Sequence, residues 1–176
     1  MAKIVVGVDG SVVSKSALAW AAEYARAIRA RLVVVRVHEP VGDPSVATLG
    51  SALAYAPTLS GPEQGHTLTA VARERVHSAQ QTAKERLEHE LRRTLQQVGV
   101  AGLDVETVVV ADRRPSRVLE EHSRYADLLV VGSRGMGGVR GMLLGSVSQH
   151  VTQHSACPVV VVPSPSRQQE HARHRI

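Results

Sequence analysis

Aromatic residues and cysteine are scarce in this chain of 176 residues. There is no phenylalanine, and the only aromatic residues are one tryptophan and three tyrosines. Proteins that bind single-stranded nucleic acid stack bases on aromatic side chains, so this composition argues against such a surface. The core must instead be built from valine, leucine, isoleucine and alanine. The single cysteine, Cys157, excludes an intramolecular disulfide and is typical of a reducing compartment.

Long apolar runs are also missing. None approaches the roughly 20 residues that a membrane-spanning helix needs, and the chain passes from Lys3 into a strand pattern rather than the apolar segment of a signal peptide. We therefore expect a cytoplasmic protein. With 43% hydrophobic and 21% charged residues, the composition is ordinary for one globular domain. The net charge of +5 is dispersed, and no helix-turn-helix or zinc pattern accompanies it, so nucleic-acid binding is not expected.

Glycine is concentrated in residues 132–146, GSRGMGGVRGMLLGS, directly after an apolar run. Glycine lets backbone N–H groups approach an anion that a Cβ would obstruct. A helical pattern begins at Ser146, so its free N–H groups and positive dipole end would point into the same loop. The spacing G-x2-G-x9-G-[ST] is neither a Walker P-loop nor a G-x-G-x-x-G fingerprint. It predicts a phosphate-binding loop, with a flexible surface loop as the alternative.

Apolar runs and helical patterns alternate along the chain. Strands are predicted at residues 3–8, 32–37, 105–110, 128–131 and 159–162, and helices at residues 14–30, 67–98, 114–125 and 146–155. This alternation predicts an α/β fold, a doubly wound parallel sheet of five strands with helices on both faces. Ligands of such sheets bind beyond the carboxyl ends of the strands. If the first and fourth strands are neighbours, Asp9 and Gly132 face each other across one crevice.

Two segments do not follow this alternation. Residues 38–66 are rich in glycine, proline, serine and alanine, and we expect a long loop there. Residues 164–176 are polar and basic, and we expect a disordered tail that adds nothing to the core. Residues 1–163 are then predicted to form a single domain.

Three segments resemble the universal stress protein family: KIVVGVDGSVVSKSALAWA at the start, VVGSRGMGGVRGMLLGSVSQHV, and CPVVVVP at the end. The resemblance covers residues 3–163. Gly132, Gly135, Gly145 and Ser146 complete the pattern of the ATP-binding branch of that family. The resemblance implies the strand order 3-2-1-4-5, ATP with accompanying Mg²⁺ as ligand, and a homodimer paired through the last strand, residues 159–162. An apolar edge strand there would otherwise be a liability.

The resemblance also assigns roles to single residues. Asp9 would contact adenine, and the backbone near Val37 would contact it from the other side. Gly132 would lie near the ribose, and the loop and helix start would hold the phosphates. The residues expected to bind the nucleotide are Gly7, Val8, Asp9, Gly10, Val37, Val110, Gly132, Ser133, Arg134, Gly135, Met136, Gly137, Gly145, Ser146 and Val147. Arg134 and Arg140 either complement the triphosphate charge or are solvated.

No residue pattern for turnover is evident. Phosphoryl transfer usually combines metal-positioned phosphates with a placed base, whereas glycine loops position without activating. Asp9 would lie at the adenine end, and Asp112 fits a turn better than a catalytic role. Cys157 precedes Pro158 at the start of a buried strand, which favours a structural cysteine. His150 and His154 have the spacing of a metal-binding pair on a helix but no evident third ligand.

We therefore expect an ATP-binding regulatory protein of the stress response that has no catalytic residues and at most slow ATP hydrolysis. One alternative is an enzyme of the adenine-nucleotide α/β hydrolase group, either an ATPase or an adenylyl transferase. The other is a dimeric protein-interaction module that binds no nucleotide.

Overall fold

Five strands alternate with the helices of the chain. The computed structural model describes residues 1–40, 62–135 and 143–165, and side chains throughout these ranges except in residues 62–73. The elements in chain order are β1 (Lys3–Val8), α1 (Val12–Ile28), β2 (Arg31–His38), α2 (Pro62–Val98), β3 (Val105–Ala111), α3 (Pro115–Ser123), β4 (Leu128–Gly132), α4 (Ser146–His154) and β5 (Val159–Val162). No helix in these ranges has the length and apolar character needed to cross a membrane.

The strands form one parallel sheet in the order β3-β2-β1-β4-β5. This confirms the predicted fold class and strand order. In the centre of the sheet, Ile4 of β1 pairs with Leu128 of β4. The carboxyl ends of β1 and β4 are therefore neighbours, and the chain leaves both strands at the same edge of the sheet.

The central strands are apolar because both of their faces are covered. Residues 32–35 of β2 are at most 1% exposed, as expected for an unbroken apolar run in a parallel sheet. One core layer contains Ile4, Val6, Leu18, Ala21, Leu91 and Leu95, and the other contains Val5, Val33, Val35, Leu119, Val131 and Val151. The core is thus aliphatic, as the lack of aromatic residues predicted.

The chain divides into two compact units. The first comprises Met1–Glu39 and Glu88–Ile176, and the second comprises Pro40–Leu87. The first unit contains the sheet, α1, α3, α4 and the last turns of α2. Helix α2 ends at Val98, as predicted; Gly99 follows it with φ +75°, and its N–H donates to the carbonyl of Leu95 at 3.1 Å.

Helix starts were the least accurate sequence predictions. Helix α1 begins at Val12 rather than residue 14, because Ser11 is its N-cap and accepts the N–H of Ser14 at 3.1 Å. The predicted loop through residue 66 was wrong at its end, because α2 begins at Pro62, a residue suited to a first helical position. Residues 41–61 of that loop and residues 166–176 of the tail lie outside the described ranges.

Candidate functional site

A cavity of about 590 Å³ opens at the carboxyl edge of the sheet, between β1 and β4. Its inner wall is aliphatic, and its rim carries polar side chains and backbone. The aliphatic side chains of the lining include Val35, Val37, Leu119, Val131 and Val147, and the polar ones are Asp9, Ser14, Glu39, Arg134, Ser146 and Ser148. All of these residues belong to the first compact unit. The position is the one that open parallel sheets use for ligands.

The turn after β1 presents the carboxylate of Asp9. Its Oδ1 accepts the N–H of Ser11 at 2.9 Å, which forms an Asx turn directly before α1. The hydroxyl of Ser14, which is 4% exposed, donates to the carbonyl of Ser11 at 3.0 Å. The bond from Ser11 thus holds the Asp9 side chain, while the N–H of Asp9 donates to the Ser14 hydroxyl at 3.4 Å.

The turn after β4 faces Asp9 closely. A Cβ built on Gly135 would lie 2.5 Å from Asp9 Oδ2, so a larger residue at position 135 would displace the Asp9 carboxylate. The expectation that Asp9 and the start of the glycine segment share one crevice is confirmed, since both line the cavity.

The packing of α1 against β4 explains why residue 132 is a glycine. A Cβ on this residue would lie 3.0 Å from Val13 Cγ1 and 3.2 Å from the Val13 carbonyl carbon. Both atoms belong to the first turn of α1, which crosses the end of β4 there. Gly132 therefore lets α1 approach the sheet, whether or not a ligand is bound.

The two described ends of the glycine segment are joined by backbone hydrogen bonds. The N–H of Gly145 donates to the carbonyl of Ser133 at 2.8 Å, and the N–H of Ser133 donates to the carbonyl of Val162 at 2.8 Å. Gly145 is the N-cap of α4, where no side chain caps the helix and no acidic residue lies in the first turn. N–H groups in a first helical turn lack intrahelical acceptors, so this end of α4 favours an anion.

A second contact links α3 to α4, the two helices that contribute cavity wall. His150 Nε2 lies 2.9 Å from Glu120 Oε2, and the rings of His150 and His154 stack with centroids 4.3 Å apart. The hydrogen bond with His150 lowers the pKa of Glu120. Within the described ranges, no three histidine, cysteine, aspartate or glutamate side chains are grouped so that they could hold a metal ion.

The structure brings most of the predicted site residues together. The cavity is lined by Gly7, Val8, Asp9, Val37, Gly132, Arg134, Gly135, Gly145, Ser146 and Val147. Met136, Gly137 and Arg140 lie outside the described ranges.

Three predicted residues do not line the cavity. A Cβ on Gly10, which has φ +90°, would lie 2.9 Å from the Arg36 guanidinium. Val110 lies on β3, one strand beyond Val37, and packs in the core. Ser133 is 8% exposed, and its backbone bonds hold the ends of the segment.

Sequence reasoning missed eight lining residues: Ser14, Val35, Glu39, Pro115, Leu119, Val131, Leu144 and Ser148. Two of them were detectable. Pro115 follows the carboxyl end of β3, and Leu119 lies one helical turn later, on the same face of α3. The rest reach the cavity only because the sheet order and the helix packing bring them there.

Comparison with known proteins finds relatives that are similar to this chain in sequence and in fold. The sequence pattern of the universal stress protein family matches residues 1–163. The chain is 32% identical over 164 residues to universal stress protein YxiE of Bacillus subtilis, with 91% of this chain and 97% of that protein covered.

Two solved structures are similar in fold. The universal stress protein UspA from Lactobacillus plantarum has a TM-score of 0.63 at 21% identity, with 92% of this chain and 97% of that one covered. A universal stress protein in complex with cAMP has a TM-score of 0.57 at 26% identity, with 93% and 97% covered. The chain belongs to the universal stress protein family.

Proposed function

We propose that this protein binds an adenine nucleotide, ATP with its Mg²⁺ in particular, in the cavity between β1 and β4. The observation that carries the proposal is the division of the cavity into an aliphatic wall and an uncapped helix start. A nucleotide has the matching division, since its base is flat and largely apolar on its faces while its phosphates are anionic.

The base would occupy the aliphatic part of the cavity. Val35 and Val37 on β2 and Leu119 on α3 line this part. The exocyclic amino group of adenine donates hydrogen bonds, and the carboxylate of Asp9 at the rim accepts them. Guanine carries a carbonyl oxygen at the corresponding position, which the carboxylate would repel. Asp9 therefore favours adenine over guanine.

The phosphates would lie at the start of α4. Ser146 and Val147 line the cavity in the first helical turn, where backbone N–H groups and the helix dipole attract anions. Arg134 adds a positive charge to the same rim. The Mg²⁺ would be carried on the phosphates, since Asp9 faces the base. A relative of 26% identity whose solved structure contains cAMP supports an adenine nucleotide as the ligand class.

We further propose that binding, rather than turnover, is the task of the site. The described cavity lining contains no histidine, cysteine or lysine. Asp9 is engaged with Ser11 at the base end of the cavity. General-base catalysis needs an acceptor within reach of the attacking water. The second carboxylate of the lining, Glu39, follows β2, which lies two strands away from β4. The phosphate end offers the hydroxyl of Ser146 instead. The protein would then act as a nucleotide-dependent regulator in the cytoplasm, with at most slow hydrolysis.

The free edge of β5 is the proposed surface for homodimerisation. The N–H of Leu129 donates to the carbonyl of Pro158, and the N–H of Ser133 donates to that of Val162. Because backbone groups alternate in direction along a strand, those of Val159 and Val161 face away from β4. Pairing with a second copy would satisfy them and cover an apolar strand.

Calorimetric titration of nucleotide-stripped protein tests the nucleotide proposal. ATP with Mg²⁺, AMP, cAMP and GTP are compared on the wild-type protein and on Gly145→Ala and Gly145→Val. We expect adenine nucleotides to bind and GTP to bind more weakly. The two variants should lose affinity in the order of side-chain size, because both place carbon between the start of α4 and the β4 turn, where the phosphates would lie.

Gly145→Ala is expected to fold, since Gly145 has φ −80° and ψ 166°, and the nearest atom to a Cβ at this position would be 3.5 Å away. The circular dichroism spectrum checks the fold of Gly145→Val before its affinity is compared. A folded wild-type protein that binds no adenine nucleotide would overturn the proposal. It would also leave the protein-interaction dimer as the better account. Release of phosphate at a rate typical of enzymes would instead favour the ATPase alternative.

A further inference from the structure

Ser148 connects the two described ends of the glycine segment. Its side chain is buried, with the residue 2% exposed, yet it lines the cavity. Its Oγ lies 3.0 Å from the carbonyl oxygen of Ser133 and 2.9 Å from that of Gly145. The N–H of Gly145 also donates to the Ser133 carbonyl, at 2.8 Å. One carbonyl group of the β4 turn thus accepts from both the N-cap and the third residue of α4.

The contact with Ser133 is different in kind from the contact with Gly145. A serine that bonds the carbonyl three residues earlier is a local helix feature. Ser133 is 15 residues away, near the beginning of the glycine segment, whereas Ser148 follows its end. Since a hydroxyl carries one proton, Ser148 shares it between the two carbonyls. That arrangement fixes the distance between the β4 turn and the α4 N-terminus.

Because residue 145 is glycine, another residue must hold the start of α4 in place. A side chain at an N-cap normally accepts the N–H of the second or third helical residue and so holds the helix start in place. Gly145 has no side chain, and α4 has no cap bond of this type. Ser148, at the third helical position, holds the same turn from inside the helix, which leaves the first-turn N–H groups directed at the cavity.

We propose that Ser148 is a positioning residue for the phosphate end of the site. It fixes the start of α4 against the β4 turn, so that the N–H groups of Ser146 and Val147 converge on one anion. The inference rests on the proposed nucleotide function, and it adds a residue outside the glycine and serine spacing. The base end of the cavity does not depend on Ser148, because Asp9 is held by the separate turn before α1.

Ser123 provides a control that separates a positioning role of Ser148 from the general effect of losing a buried hydroxyl. Ser123 is as buried, at 1% exposed; its hydroxyl donates to the carbonyl of Glu120 at 2.6 Å and accepts the N–H of Ala156 at 2.9 Å. It does not line the cavity. Ser123→Ala therefore removes a buried, bonded hydroxyl without touching the phosphate end.

The experiment compares the affinities of ATP with Mg²⁺ and of adenosine for the wild-type protein, Ser148→Ala and Ser123→Ala. Adenosine has the base and ribose but no phosphate. Ser148→Ala should weaken ATP binding roughly three- to tenfold, the effect of one net hydrogen bond, and should leave adenosine binding unchanged. Ser123→Ala should lower the melting temperature and change neither affinity. If Ser148→Ala does not fold, Ser148→Cys keeps the volume and weakens the donor.

Amide hydrogen exchange of the ligand-free protein gives a second readout. The N–H groups of Gly145 and Gln149, which donate to the carbonyls of Ser133 and Gly145, should exchange faster in Ser148→Ala and at an unchanged rate in Ser123→Ala. Equal losses of ATP and adenosine affinity, or ATP binding as in the wild type, would overturn the positioning role while leaving the nucleotide site intact. A wild-type protein that binds neither ATP nor adenosine overturns the proposed function and this role together.

Discussion

Alanine at Gly132 should destabilise the protein, whereas alanine at Gly145 should not, although both glycines belong to one motif. At Gly132 the new Cβ would lie 3.0 Å from Val13 Cγ1, 3.2 Å from the Val13 carbonyl carbon and 3.3 Å from the Ser14 nitrogen. Two of these atoms are backbone in the first turn of α1 and cannot rotate away. Overpacking of this kind costs about 1 to 3 kcal/mol.

Gly145 has space for the same atom. The nearest neighbours of its Cβ would be Arg134 Cα at 3.5 Å and the Gly135 nitrogen at 3.7 Å, both ordinary contacts. Its φ of −80° is open to any residue. Alanine would gain about 0.4 to 1 kcal/mol by restricting the unfolded chain and lose a similar amount as a poorer N-cap than glycine. The net change in stability should be near zero.

Thermal unfolding of the two nucleotide-free variants measures the difference. At this chain length each kcal/mol shifts the melting temperature by about 2 to 4 °C, so Gly132→Ala should melt roughly 2 to 12 °C below the wild-type protein. Gly145→Ala should melt close to it. Equal losses at the two positions, or a larger loss at Gly145, would refute the conclusion that packing of α1 fixes Gly132.

Two further predictions concern the sheet edge and the pH dependence of folding. Val161→Pro removes an N–H that faces the outer edge of β5 and leaves the bonds to β4 intact. Light scattering should find monomers, and the circular dichroism spectrum should be unchanged. A dimer that persists in this variant would show that β5 is not the dimer interface. Burial lowers the pKa of His122 from its ordinary 6.5, so the unfolded state binds more protons and stability should fall as the pH drops below 6.5. Urea midpoints at about pH 7.5 and about pH 5 should differ less in His122→Asn, and an equal difference would contradict this role.

Much of the fold followed from local patterns. The predicted bounds of β1 and β5 agree with the structure, because an apolar run flanked by polar residues or turns defines a buried strand. The predicted start of α1 was two residues late, since apolar periodicity marks a helix face and the cap marks its end. The family resemblance is confirmed. Ten of the predicted site residues line the cavity, because β1 pairs with β4 and the turns after these strands leave the sheet at the same edge.

The sequence by itself determined the aliphatic core, the alternation of strands and helices, and the glycine segment ahead of α4. These properties depend on side-chain volume and backbone freedom, which each residue carries with it. Only the tertiary structure decided that Val35 lines the cavity, that Gly132 makes room for Val13, and that Ser148 reaches Ser133. Such contacts join residues that are far apart in the chain. They arise because β4 pairs with β1, and this pairing brings the start of α1 over the carboxyl end of β4.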